Sequence, residues 1–198
     1  MKEIVFVDCD RTLVNTDVYP VLCRQLFVDK RKNKFFFQWR HVRTEARPSA
    51  REFLIELRKK YTVHVLSLGH SVFQTKVLTE LGLIEHVEKI WGPDNVHEIP
   101  RPDQFVLIDD MAGESLGIAY KMTWLGRKRS LVNIEDWGKI LGHHFIQCRP
   151  FTGGISDEQS LIDFLPIIDE LIDCQLKKTG VTCNHARNQE ATIRQSQS

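Results

Sequence analysis

Apolar residues in this chain fall into short unbroken runs separated by longer amphipathic stretches. Ile4, Val5, Phe6 and Val7 form one such run, as a strand buried on both faces requires. Residues 51–60 place Phe53, Leu54 and Leu57 at helical spacing between charges, which predicts a helix. Val63, His64, Val65 and Leu66 predict a second strand, and residues 71–81 a helix ended by Gly82, a residue suited to a C-terminal cap. Residues 87–91 predict a short third strand, 105–108 a fourth and 144–148 a fifth. Residues 156–176 predict a closing helix, with Ser156 as N-cap and Asp157 and Glu158 in its first turn. Strands alternating with helices imply an α/β fold with a parallel sheet and right-handed crossovers.

Two segments break this rhythm. Residues 25–39 read Phe27-Val28, a polar stretch from 29 to 34, then Phe35-Phe36-Phe37-Gln38-Trp39. That pattern predicts a hairpin with its tip near Lys32-Asn33, inserted at about 25–43 between the first strand and the first helix. Residues 111–143 are longer than a simple crossover and predict a helix plus an irregular excursion. Residues 179–198 carry almost no core-forming side chains and read as a disordered tail, which leaves 1–178 as one domain.

Composition adds exclusions. The net charge of +1 gives no global field toward nucleic acid or a membrane surface. No apolar run approaches the ~20 residues of a membrane helix, and carboxylates at Asp8 and Asp10 arrive too early for a signal peptide. The five cysteines show no C-x-x-C spacing, so zinc and a disulfide framework are not expected. Reduced thiols in a cytoplasmic protein are the expectation, with a nuclear location open; the oligomeric state is not legible.

Candidate chemistry sits at strand ends. Asp8 and Asp10 follow the first strand immediately, and Asp109-Asp110 follow the fourth in the same way. The carboxyl ends of strands in an open parallel sheet face the ligand crevice. Three or four carboxylates gathered there need a compensating charge, and a hard divalent cation, Mg²⁺, fits oxygen ligands of this kind. The strand at 63–66 ends at Ser67, whose hydroxyl, with the amides of Leu68 and Gly69 and a helix start near His70-Ser71, makes an anion cradle. Glu114 reads equally as a support for Asp110 or as an exposed helix residue. Cys9 reads as sheet packing, and the histidines show no ligand spacing. The basic run Lys30, Arg31, Lys32, Lys34, Arg40 and Arg43 reads first as a solvated face of the hairpin and second as a binding surface.

Asp8-Cys9-Asp10-Arg11-Thr12-Leu13 resembles the first motif of the haloacid-dehalogenase superfamily, Asp-x-Asp-x-Thr. Ser67 after a strand resembles the second motif, and Asp109-Asp110 the fourth. A narrower resemblance, over residues 4–175, is to the phosphatases of the RNA polymerase II C-terminal domain and their NLI-interacting-factor-like relatives. It rests on the hairpin insert, on Arg47-Pro48-Ser49-Ala50-Arg51-Glu52-Phe53-Leu54, and on the ending Phe164-Leu165-Pro166-Ile167-Ile168. The chain departs from its relatives at Cys9 and Arg11, and has Asp109-Asp110 where they carry Asp-Asn. The basic residue of the third motif is either Arg101, whose Arg101-Pro102 pair mimics a common Lys-Pro, or Lys89.

The resemblance implies a Rossmann-like parallel sheet with a small hairpin insert and no large cap, hence an open site. It implies a phosphatase in which Asp8 is the nucleophile and Asp10 the general acid and base. Mg²⁺ would be held by Asp8, the Asp10 backbone carbonyl, Asp109 and Asp110. Thr12, Ser67, Leu68, Gly69 and Arg101 or Lys89 would hold phosphate. The implied substrate is phosphoserine or phosphothreonine in protein. A nucleotide or polynucleotide-end phosphatase is the second reading, with nucleic acid possible but not favoured, and a non-catalytic binding module is the third.

Overall fold

A computed structural model of the chain describes residues 2–20, 33–37, 40–92, 105–111, 144–154 and 159–177. In chain order its elements are β1 (Ile4–Asp8), β2 (Val14–Pro20), β3 (Asn33–Phe37), β4 (Arg40–Ala46), α1 (Ala50–Lys60), β5 (Thr62–Leu66), α2 (Ser71–Glu80), β6 (Lys89–Trp91), β7 (Phe105–Asp109), β8 (Phe145–Gln147) and α3 (Leu165–Lys177). Five strands form one parallel sheet in the order β6-β5-β1-β7-β8. The chain builds outward from β1 through β5 to β6, then returns to the other side of β1 for β7 and β8. That reversal makes a crevice at the carboxyl end of β1, where ligands of open α/β sheets bind.

The apolar runs explain this sheet. Val5 and Val7 of β1 belong to one buried cluster, with Phe53, Leu54 and Leu57 of α1, Val77 and Leu78 of α2, and Ile168 and Ile172 of α3. Phe6, between them, points to the opposite face and joins Leu66, Trp91, Phe105 and Leu107. Its ring lies edge-on to His64 at 5.2 Å and 4.3 Å from Phe105. Trp91 Nε1 donates to His64 Nδ1 at 3.1 Å, and burial lowers the His64 pKa, so this histidine is a neutral core residue.

The insert differs from the sequence expectation. β2, β4 and β3 form a three-stranded antiparallel sheet, and β3 lies against α2. Phe37 pairs with Arg40, so a reversal follows Phe37; Asn33, expected at the tip, belongs to β3, while Lys32 and the expected first arm Phe27-Val28 lie outside the described residues. β2 was not legible because its residues, Val-Asn-Thr-Asp-Val-Tyr-Pro, are half polar. Polar partners across the ladder account for this: Thr16 lies 3.1 Å from Thr44, and Arg43 donates to Asp17 at 2.9 Å. Of the insert at 25–43, residues 25–32 and 38–39 lie outside the described residues, as do most of 111–143 and the tail at 179–198.

The closing helix also begins later than expected. A 3-10 turn covers Leu161–Phe164, capped by the Ser160 hydroxyl, which accepts from the Ile162 N–H at 3.3 Å; α3 starts at Leu165. Pro166 explains the break, since its ring has no N–H to donate and clashes with a preceding helical turn, yet suits the first turn of a new helix. Ser156, Asp157 and Glu158 lie outside the described residues. Cys174 on α3 is disulfide-bonded, against the expectation of five reduced thiols, while Cys9 and Cys148 are free and buried. Among the described residues no helix is long and apolar enough to cross a membrane.

Candidate active site

Strand register brings the motifs to one edge. Asp8 pairs with Leu66, the residue before Ser67, and Val7 pairs with Ile108, the residue before Asp109. Asp8, Asp109 and Asp110 each present a carboxylate oxygen, all within 4.8 Å of one another. After Asp8 the chain turns sharply, with the N–H groups of Leu13 and Val14 both donating to the Cys9 carbonyl at 3.0 Å. The turn requires Arg11 to adopt φ 66°, a left-handed conformation that costs a non-glycine residue energy. Both backbone groups of Arg11 are engaged: its N–H donates to Val14 O and its carbonyl accepts from Phe151 N, each at 2.6 Å. The result is a cleft of about 220 Å³ lined by Asp8, Asp10, Arg11, Ser67, Leu68, Asp109, Asp110 and Met111.

The other sequence-predicted residues are placed differently. Thr12 is wholly buried beneath the loop, its hydroxyl 3.7 Å from Cys148 Sγ, and is not among the residues lining the cleft. The Gly69 N–H donates to Ser67 Oγ at 3.0 Å, so it is engaged within its own loop. Lys89 stands at the start of β6, two residues back from the sheet edge, with its ammonium 3.8 Å from the Trp91 ring centroid. Arg101 and Glu114 lie outside the described residues. Arg11 is the basic side chain that lines the cleft among the described residues; the sequence marked it only as a departure from its relatives.

A second residue escaped the sequence reading. Gln74 is wholly buried on α2, where its Nε2 donates to Asp10 Oδ2 at 2.6 Å and to Ser67 Oγ at 2.9 Å. Its signal was faint: Gln74, Val77 and Leu78 are the buried positions of α2, so a polar residue stands in a core stripe.

The electrostatics follow from crowding. Burial, and then the charges of Asp109, Asp10 and Asp110, push Asp8 well above the carboxylate range. Burial pushes Asp109 to about 7, against the Met111 N–H that donates to it at 2.8 Å. Asp10 is raised by burial and held down by Gln74, Thr16 and Arg11. Asp110 is raised by burial and held down first by Arg11. A cluster of acids at this separation cannot all ionise alone, and three hard oxygen donors within reach of one point fit a divalent cation such as Mg²⁺. The Asp10 carboxylate is not part of that donor set. Burial also raises the Cys9 thiol far above its usual value, which keeps it protonated and consistent with packing.

Comparisons with known proteins agree with this geometry. No curated protein matches the chain by sequence. The fission yeast RNA polymerase II CTD phosphatase Fcp1, solved as a substituted form bound to beryllium fluoride, matches at 15% identity and a TM-score of 0.50, over 98% of this chain and 56% of that one. A second structure of Fcp1, an essential RNA polymerase II CTD phosphatase, matches at 15% identity and a TM-score of 0.52, over 93% of this chain and 56% of that one. This chain thus spans little more than half the length of either, and at such identity the likeness is one of fold. The model of the family described as NLI interacting factor-like phosphatase matches residues 3–111, which hold both strand-end carboxylate pairs and Ser67. On that match the chain belongs to the NLI interacting factor-like phosphatase family.

Proposed function

We propose that this chain is a Mg²⁺-dependent phosphomonoester hydrolase that passes the phosphoryl group through Asp8, and that its substrate is phosphoserine or phosphothreonine in protein. The observation that carries the reading is the convergence of Asp8, Asp10, Asp109, Asp110 and Ser67 on one cleft. Asp8 attacks phosphorus and forms an aspartyl-phosphate, while Asp10 protonates the departing oxygen. Asp10 then takes a proton from the water that cleaves the aspartyl-phosphate. Ser67 and Arg11 bind phosphate oxygens from the cleft wall. Mg²⁺, held by Asp8, Asp109, Asp110 and the Asp10 backbone carbonyl, would neutralise the carboxylates and stabilise charge on the transferring group. Support for the substrate class comes from the family's description as phosphatases and from the fold likeness to Fcp1, an RNA polymerase II CTD phosphatase.

The test is direct. Asp8→Asn should abolish hydrolysis of p-nitrophenyl phosphate while leaving the unfolding transition intact, because the change removes a nucleophile and no core volume. Asp10→Asn should be nearly inactive and gain the mass of one phosphoryl group. Retained turnover in Asp8→Asn defeats the covalent mechanism. A panel of phosphopeptides, mononucleotides and end-phosphorylated oligonucleotides identifies the substrate class, and preference for an oligonucleotide end rejects the protein reading.

A further inference from the structure

Gln74 joins two loops that the chemistry needs in register. One amide nitrogen supplies both contacts: Nε2 donates to Asp10 Oδ2 at 2.6 Å, in the loop after β1, and to Ser67 Oγ at 2.9 Å, in the loop after β5. The site is shaped around this amide. A Cβ on Gly69 would lie 2.5 Å from Nε2, so any other residue there displaces the amide. The carbonyl end gains nothing comparable, since Oε1 is buried with no hydrogen-bond partner among the described residues. For packing alone, methionine or leucine would fill the same space on α2 without orphaning a polar atom. What the glutamine adds is a donor aimed at Asp10.

We propose that Gln74 is a positioning residue for proton transfer by Asp10, and that it determines how well the protein cleaves phosphate esters of poor leaving groups. This rests on the phosphatase reading above. In the first step Asp8 forms a bond to phosphorus, the bond from phosphorus to the leaving oxygen breaks, and the Asp10 proton moves to that oxygen. An alcohol departs and Asp10 is left as a carboxylate. A fixed N–H donor on Asp10 Oδ2 complements the charge that appears there and needs no rearrangement as it appears. Thr16, on β2, also acts to lower the Asp10 pKa. A serine alkoxide needs its proton during bond cleavage; a nitrophenolate does not. Loss of Gln74 therefore falls more heavily on alkyl phosphates than on activated aryl phosphates.

The experiment compares kcat/KM for p-nitrophenyl phosphate, phenyl phosphate and a phosphoserine peptide in wild type, Gln74→Met and Gln74→Leu. This constant reports events up to release of the alcohol, so hydrolysis of the aspartyl-phosphate does not enter it. In both variants the phosphoserine value should fall on the order of 100-fold further than the p-nitrophenyl value, the size of a general-acid contribution. Phenyl phosphate should lie between. Equal losses on all three substrates, including complete inactivation, overturn the proposal and make Gln74 structural. Unchanged rates overturn it as well, and so does a selective loss in only one variant, which would mark a packing effect. A wild-type protein inactive on the whole series instead refutes the phosphatase reading.

Discussion

Arg47 is wholly buried, and its guanidinium makes the loop of the first motif and the segment after β8 one unit. Nη1 donates to the Thr12 carbonyl at 3.2 Å and Nη2 to the Arg149 carbonyl at 3.0 Å, with the Phe151 ring 5.8 Å from the guanidinium. The residue was legible in the sequence only as half of an Arg-Pro pair before a helix; that it props the loop after β1 was not, because its partners are backbone carbonyls, which no sequence pattern marks. Replacing it by methionine keeps most of the volume and leaves two carbonyls without charged donors. Arg47→Met should lower unfolding free energy by about 3 kcal/mol, the sum of two such losses at the low end of their range. Urea unfolding measures this, and a change under about 1 kcal/mol would mean that water replaces the guanidinium. Asp8, Asp10, Ser67 and Asp109 were legible for the opposite reason: polar residues directly after apolar strands stand out. Thr12 was placed in the phosphate site by motif resemblance, yet its hydroxyl is spent beneath the loop near Cys148, a thiol that burial raises to about 11.

At the scale of elements, strong apolar periodicity was readable and polar ladders were not. α1 shows the first case. Phe53, Leu54 and Leu57 are fully buried while Ile55, on the outer side, is 36% exposed. Leu57→Ala should therefore cost about 3 kcal/mol, within the range for a buried leucine that leaves a cavity, and Ile55→Ala less than about 1 kcal/mol. The same denaturant titration checks both, and comparable losses would show that α1 is docked in a different rotation. β2 shows the second case. It is held by its backbone ladder and by Thr16–Thr44 and Asp17–Arg43 pairs, none of which produces an alternating apolar signal. The hairpin expected around Lys32-Asn33 followed the aromatic run at 35–37, whereas the observed register pairs that run with β4. Propensity located a strand there; the partner was set by tertiary packing.

For the whole molecule, the order of motifs along the chain was enough to gather their carboxylates and Ser67 at one place, because a parallel sheet converts sequence order into one edge. The same convergence sets a stability penalty that depends on pH. Asp109 rises from 3.8 to about 7, by burial first and then by Asp110, and Asp8 is raised in the same direction. An acid whose folded pKa lies above its unfolded value stays protonated in the native state while the unfolded chain ionises. Its stabilising contribution is full below about 4 and is lost as pH rises through about 7. Metal-free protein should thus lose stability between about pH 4 and pH 7 through Asp109, with Asp8 acting in the same direction. Mg²⁺ requires the ionised carboxylates, so protons and metal compete for one site. The metal should raise the melting temperature strongly at pH 8 and hardly at pH 5; at 100 times its Kd the gain is about 2.7 kcal/mol. Thermal unfolding in EDTA and in Mg²⁺, at half-unit steps of pH, reads the difference directly, and surface carboxylates far from the cleft cancel in it. Asp109→Asn should flatten both the pH dependence and the Mg²⁺ effect, since it removes a titrating group and a ligand together. If Mg²⁺ stabilised the protein equally at pH 5 and pH 8, the cation would be binding elsewhere, and the carboxylate edge would have to be neutralised by protons alone.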